Sequence, residues 1–365
     1  MKKHYLLYSF CISILLITLI DILEPIKEFS EIENKYLKGK IKITKEKILN
    51  GDIFKEYDKY INEQMAFRDE LISLKAISEK FFSKIENNDV LLGKDNYLFH
   101  KYFELDEHRK AYNIDSINKF KNNYNGNVSL LLVPSSYEVY KENLIGNPPV
   151  INESKEIQEI YSKMENINTV DILDKLKTNK DEYLYYKTDH HWTIDGAYIG
   201  YEEFMKSVNL KPIDIKSNRV QINDFLGSFY SKAKPIFNKG DSFSYIPIDD
   251  LKMTIGEDNY DSIYNLSYLE KRDKYSVYLN GNNPYVKIEN KANKNGKKIL
   301  VIKDSFANSF IPYLTSNYEE VHIIDFRSFS QSLKGFLEDN KYDEILILYS
   351  FKNFCTESTL LRIKD

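Results

Sequence analysis

A chain of 365 residues with 42% hydrophobic and 29% charged side chains can bury a proper core, which excludes a disordered chain. Its formal net charge of −4, with the two signs interspersed, leaves no basic stripe, so no nucleic-acid partner is expected. The 29 Tyr and 21 Phe beside 1 Trp are read as a codon-usage bias that also favours Lys, Asn and Ile, rather than as an aromatic sugar platform. Lys2 and Lys3 precede an apolar run from Tyr5 to Ile20 that ends at Asp21, short of the ~20 residues of a comfortable span and followed by no small-x-small cleavage site. This predicts an uncleaved signal-anchor over residues 1–23 with a cytoplasmic N-terminus and the rest of the chain outside the cytoplasm. With Cys11 inside that run, it and Cys355 make no disulfide framework.

Residues 24–52 read as a charged stalk, and 53–365 as one domain with a partly β insertion at about 209–296. Apolar residues at helical spacing (Ile53, Tyr57, Ile61, Met65, Leu71, Leu74, Ile77, Phe81) predict one or two amphipathic helices. Further along, 127–133 is a buried strand stopped by Pro134, 155–165 a helix, 169–173 a short strand and 182–187 a Tyr-rich strand. Thr193 is the expected N-cap of a helix over 194–208. Asn280-Gly281 between 275–279 and 285–288 signals a hairpin. After it come strand 298–302, helix 307–314, strand 320–324, helix 333–338 and strand 344–349. Continuous apolar strands alternating with helices predict an α/β fold, a parallel sheet with helices on both faces.

Two stretches carry chemistry. Thr188-Asp189-His190-His191-Trp192-Thr193 holds two of the six histidines and the only tryptophan. The run 299–302 ends at Lys303-Asp304-Ser305-Phe306, as a buried strand does when it delivers a serine to the rim of a sheet, where open α/β sheets hold ligands. Asp, His and Ser are the parts of an acyl-transfer triad, which is defined by geometry and not by chain order. Residues i and i+2 of an extended segment share a face, so Asp189 is expected to hold His191 as the base for Ser305, with His190 pointing the other way. The bland alternative is that Ser305 caps the following helix and Asp189 serves a turn. Adjacent histidines facing opposite ways chelate poorly, so no metal is expected.

Asp-x-His-Trp followed by Lys-Asp-Ser-Phe resembles the DHHW proteins, related to the alginate O-acetylation proteins of the SGNH hydrolase superfamily, in a circularly permuted order. Residues 94–99 (Lys-Asp-Asn-Tyr-Leu-Phe), 227–232, Gly281-Asn282-Asn283-Pro284, Asp325-Phe326-Arg327 and Leu348-Tyr349-Ser350 extend the likeness from about residue 55 onward. Asn283 departs from it, standing where the family has a histidine. The resemblance implies an SGNH-like domain performing serine-dependent O-acyl, above all O-acetyl, transfer to a surface polysaccharide or cell-wall glycan without a cofactor. It also implies a membrane-bound O-acyltransferase as acyl-donor partner. A carbohydrate acetylesterase with the same triad, or a non-catalytic glycan-binding protein, are the alternatives. The N–H of Ser305, Asn282 and Asn308 are candidate oxyanion donors, while Arg327, Trp192 and His190 are candidate substrate contacts. Tyr183–Tyr186 and Tyr230, with Trp192 and Arg327, are expected to line an acceptor groove.

Overall fold

The runs 128–133, 299–302, 321–324 and 345–348 are buried at every position, a pattern that only a sheet covered on both faces satisfies. The computed structural model describes residues 4–30, 35–81, 84–234 and 239–364. The chain divides into two compact units, Met1–Lys84 with Ser231–Ile236, and Ile85–Tyr230 with Phe237–Asp365.

The first unit contains α1 (Tyr5–Leu23), the ribbon β1 (Phe29–Ser30) with β2 (Lys35–Tyr36), α2 (Lys45–Leu49), α3 (Asp52–Gln64) and α4 (Arg68–Phe81). The expected amphipathic stretch is thus two helices, parted where Phe67 takes a φ of 57°. Among the described residues no helix is long and apolar enough to cross a membrane, so the expected anchor is not shown. The apolar run stops at Asp21, whose carboxylate accepts the N–H of Ala66 at 2.9 Å. The apolar run before it rises only ~24 Å at ~1.5 Å per residue, against a hydrocarbon core of ~30 Å. Lys2 and Lys3 lie outside the described residues.

The second unit begins with the meander β3 (Glu86–Asn87), β4 (Val90–Leu92) and β5 (Leu98–His100). Then come α5 (Glu107–Asn123), β6 (Val128–Val133), α6 (Ser136–Val139), α7 (Glu153–Ser162), β7 (Asn168–Val170), α8 (Leu173–Thr178) and α9 (Ile194–Ser207). The middle of the chain supplies β8 (Val220–Phe225), α10 (Ser228–Ala233), which the boundary at Tyr230 divides between the units, β9 (Asp241–Tyr245), β10 (Leu251–Ile255), β11 (Asp258–Tyr260) and β12 (Tyr285–Asn290). Last are β13 (Lys298–Lys303), α11 (Ile311–Leu314), β14 (Glu320–Ile324), α12 (Leu333–Asp339), β15 (Glu344–Ser350) and α13 (Phe351–Thr356).

The main sheet has the order β11-β10-β12-β14-β13-β15-β6-β7. From β14 to β7 the pairs are parallel, whereas β12 joins β14 antiparallel and carries β10 and β11 with it. The expected parallel sheet is therefore a mixed one. The tight turn at Gly256, with φ of 59°, returns β10 directly as β11, and a connection that short can only produce an antiparallel pair.

Other departures have local causes. Residues 274–277 form a 3₁₀ turn, and the chain then takes three left-handed residues in a row (Leu279, Asn280, Gly281), so no hairpin forms and β12 pairs with β10 and β14. Residues 182–187 make one bridge, Tyr185 to Trp192, because the segment folds back on the loop that follows it. Helix α5 has no clear apolar stripe in sequence: its buried face includes Lys110, Asn113 and Ser116, and Asn113 donates to the carbonyls of Phe354 and Glu357.

Helix α9 starts where expected. Thr193 Oγ1 accepts the N–H groups of Asp195 and Gly196 at 3.2 and 3.3 Å. A Cβ on Gly196 would lie 2.3 Å from the Leu184 carbonyl oxygen, whereas one on Gly335 in α12 meets nothing within 4 Å. Gly196→Ala is expected to lower the unfolding free energy by about 1–3 kcal/mol through overpacking. Gly335→Ala should raise it by about 0.5–1 kcal/mol, because alanine loses less backbone entropy in a helix. Urea unfolding of the two variants gives both signs.

Candidate active site

Strand β13 is followed by Asp304, which is fully buried and accepts four hydrogen bonds: Phe306 N–H (2.9 Å), Ser350 N–H (2.8 Å), Ser350 Oγ (2.7 Å) and Asn353 Nδ2 (2.8 Å). The carboxylate thereby caps the 3₁₀ turn Ser305–Ser309 and ties it to the end of β15 and the start of α13. Since Asp304 performs the capping, the hydroxyl of Ser305 is left for another partner.

That partner comes from the loop before α9. Asp189 Oδ1 accepts from both the backbone N–H and Nδ1 of His191, at 3.0 and 2.6 Å, and Oδ2 accepts the N–H of Ser228 at 2.7 Å. His191 Nε2 lies 2.8 Å from Ser305 Oγ. A ring nitrogen facing a carboxylate carries the proton, which leaves Nε2 as the acceptor of the serine O–H. Burial works to raise the Asp189 carboxyl, but His190, His191 and the hydrogen bonds outweigh it and hold the group well below the usual carboxylate range.

A second buried carboxylate shapes this loop. Asp241 accepts from Lys187 N–H (2.9 Å), Thr188 N–H (2.8 Å), Thr188 Oγ1 (2.5 Å) and the Tyr183 hydroxyl. Gly227 lets the neighbouring segment close over the result: its N–H donates to Thr188 Oγ1, and a Cβ there would fall 2.2 Å from Asp189 Cβ. Asp241 sits in a stretch with no sequence pattern, and nothing in the sequence marks it.

The contact of Asp189 with His191 arises from this bend, not from a strand face, and that changes the place of His190. Its ring packs on His191 with centroids 3.7 Å apart, where the extended geometry had it pointing away, and its Nδ1 lies 2.6 Å from Ser228 Oγ. Tyr275 stacks on His191 at a centroid distance of 3.7 Å and an interplanar angle of 6°, donating its hydroxyl to the Ser305 carbonyl at 3.1 Å. Asp189, His190 and His191 have ligand-type atoms within 4.8 Å of one another. Both nitrogens of His191 are already engaged, by Asp189 and Ser305, so a cation there would have to break one of these two links.

The remaining expected residues divide. Trp192 is fully buried and donates Nε1–H to the Phe306 carbonyl at 2.8 Å, so it offers no face to a sugar; Tyr185 and Tyr186 are likewise core residues. Arg327 is gripped by Asp325 through Nε (2.8 Å) and a second guanidinium nitrogen (2.5 Å). Asn282 and Asn308 do meet, around a residue that the sequence reading gave no role: Lys303 Nζ donates to Asn282 Oδ1 at 2.8 Å and to Asn308 Oδ1 at 2.7 Å. Burial pushes the Lys303 ammonium down to about 8, against the pull of Asp325. Asn283 donates to the Leu279 carbonyl at 2.8 Å and closes the loop.

An α/β protein with a serine, a histidine and an aspartate hydrogen-bonded in line at the carboxyl edge of its sheet has the constellation of serine acyl-transfer proteins. The chain belongs to the DHHW family, whose model (DHHW protein) matches residues 90–324. It is similar to the crystal structure of a DHHW family protein from Eubacterium siraeum, with 25% identity and a TM-score of 0.66 over 76% of this chain and 96% of that one. Bacillus cereus PatB1 carrying a sulfonyl adduct matches 77% of this chain and 100% of its own at 21% identity and a TM-score of 0.64. The O-acetyltransferase domain of Pseudomonas putida AlgJ covers 75% of this chain and 98% of its own, at 12% identity and a TM-score of 0.50. No curated protein sequence matches the chain.

A methyl group at position 227 tests the geometry without any substrate. Gly227→Ala should displace Asp189 from His191 and cost about 1–3 kcal/mol of stability by overpacking. Proton NMR should show a low-field Nδ1–H resonance of His191 in the parent chain, absent from Gly227→Ala and from Asp189→Ala.

Proposed function

We propose that the protein transfers an acyl group, foremost acetyl, to hydroxyls of a cell-surface polysaccharide or cell-wall glycan through an acyl-enzyme on Ser305. The observation that carries this reading is the line Ser305 Oγ, His191 Nε2, His191 Nδ1, Asp189 Oδ1, with links of 2.8 and 2.6 Å. Ser305 Oγ attacks the carbonyl carbon of the donor ester while its proton passes to His191 Nε2. Asp189 stays ionised and stabilises the imidazolium, over which the Tyr275 ring is stacked. The N–H of Ser305 and the side-chain amide of Asn282 are the donors assigned to the oxyanion, each worth roughly 10²–10³ in rate. As the tetrahedral adduct collapses, the leaving oxygen takes the proton from His191. The acceptor hydroxyl then gives its proton to His191, its oxygen bonds to the acyl carbon, and Ser305 Oγ leaves and is reprotonated.

The acyl group is suggested by the O-acetyltransferase domain of AlgJ, which shares this fold. A nucleophile that accepts an electrophilic sulfur, as in the PatB1 sulfonyl adduct, fits the same chemistry. We also assign the acyl supply to a membrane-bound O-acyltransferase and the site of action to the outer face of the membrane. Helix α1, without spanning, would rest on the membrane surface through exposed apolar side chains, Leu6 and Leu15 among them at 85% and 68%.

Incubation with 4-nitrophenyl acetate should acetylate Ser305, seen by peptide mass spectrometry, and Ser305→Ala should take no label; labelling of the variant would overturn the assignment. Asp189→Asn should lose roughly 10⁴-fold in turnover, as an amide holds the wrong tautomer. His191→Ala should be as severe and His190→Ala clearly milder. With glycan oligosaccharides present, acetyl-sugar should rise while free acetate falls. Acetate release indifferent to any acceptor would make the protein an esterase.

Location has its own measurement. Protease added to intact spheroplasts should digest the domain, and a domain protected until lysis would contradict the outer-face assignment.

A further inference from the structure

Lys303 is a cation with only 1% of its side chain exposed, one residue removed from Asp304 and two from the nucleophile. Burying an ammonium is costly unless oxygens replace its water. Three do so here: Asn282 Oδ1 at 2.8 Å, Asn308 Oδ1 at 2.7 Å and Asp325 Oδ2 at 3.6 Å. Because an ammonium has three donors and no acceptor, it decides which end of each amide faces it. Asn308 must present its oxygen, and its Nδ2 then donates to Asn282 Oδ1 at 3.2 Å. Asn282 Oδ1 is thus held by two donors, and the NH₂ of Asn282, an exposed residue, has no hydrogen-bond partner among the described residues. The loop that carries Asn282 is held in an uncommon conformation, with φ of 57° at Leu279, 55° at Asn280 and 86° at Gly281.

Resting on the acyl-transfer reading above, we propose that Lys303 is a positioning residue: by holding the carbonyl oxygens of Asn282 and Asn308, it turns the Asn282 NH₂ outward as the donor for the oxyanion on Ser305. A carboxamide is nearly symmetric in shape, so without Lys303 the Asn282 side chain can rotate by half a turn and present an oxygen that repels the oxyanion. Arg327 does not share the role, because Asp325 already engages it.

Two substitutions separate positioning from bracing. Lys303→Met fills the same space with an uncharged chain and removes the constraint on both amides. Asn282→Asp keeps an oxygen for Lys303, and with it the brace, but has no NH₂ to offer. Both variants are assayed with 4-nitrophenyl acetate, following the acylation rate, KM, and the melting temperature. Each should lose roughly 10²-fold in kcat for acylation, the range for removal of one oxyanion donor, with KM within a few-fold of the parent. Asn282→Asp should melt at or above the parent temperature, so that its lost rate cannot be ascribed to a loosened fold. If the parent is acetylated on Ser305 and either variant is acetylated at the parental rate, the role of Lys303 is wrong. A parent chain that is not acetylated on Ser305 at all would remove the acyl-transfer reading and this proposal with it.

Discussion

The hydrogen bond from the Trp192 indole to the Phe306 carbonyl is the joint on which the site depends. A fully buried indole N–H needs an acceptor, and here the acceptor lies 114 positions along the chain. The bond sets the loop before α9 against the turn after β13, and the residues next to its two ends are His191 and Ser305. Their 2.8 Å approach is therefore held by a contact that takes no part in the chemistry. Around it, Trp192 stacks with Phe310 and lies so close to Gly200 that a Cβ there would be 2.9 Å from the ring. Helix α9 and the chain leading into α11 are packed on this one side chain.

A second constraint is the number of ionisable groups buried at the carboxyl edge of the sheet: Asp189, Asp241, Lys303, Asp304 and Asp325. Burial of each is tolerable only because backbone N–H groups, hydroxyls, amides or opposite charges replace its water. The replacements also fix positions. Asp304 orders the turn that carries Ser305, Asp241 orders the loop that carries Asp189 and His191, and Lys303 orders the two asparagines. The same low-dielectric surroundings that make these groups expensive strengthen every interaction aimed at Ser305 Oγ.

Legibility in the sequence followed the distance over which each signal acts. Strands β6, β13, β14 and β15 and helix α9 were visible because apolar runs, Pro134 and the Thr193 cap are local signals. The sheet's mixed character was not, because hydrophobicity says that β12 is half-buried but not which strand it joins or in which direction. Helix α5 escaped notice because Asn113 and Lys110 are buried against partners far away in sequence. Among site residues, Ser305, His191 and Asp189 could be picked out by type and order. Asp189 and His191 meet through a bend and not across a strand face, and the same bend packs His190 on His191.

The sequence by itself determined the chemical groups: one serine at the end of an apolar run, an Asp-x-His pair ahead of a capped helix, and an asparagine directly after Gly281. Those properties are local, written in residue type and spacing over a few positions. Only the tertiary structure decided that Trp192 is a strut rather than a sugar platform, that Arg327 is held by Asp325, that Tyr275 stacks on His191, that Asp241 orders the loop before it, and that Lys303 joins Asn282 and Asn308. Each of these depends on which segments meet in space, and that is set by the pairing order of the strands and the packing of α9, not by any pattern within one segment.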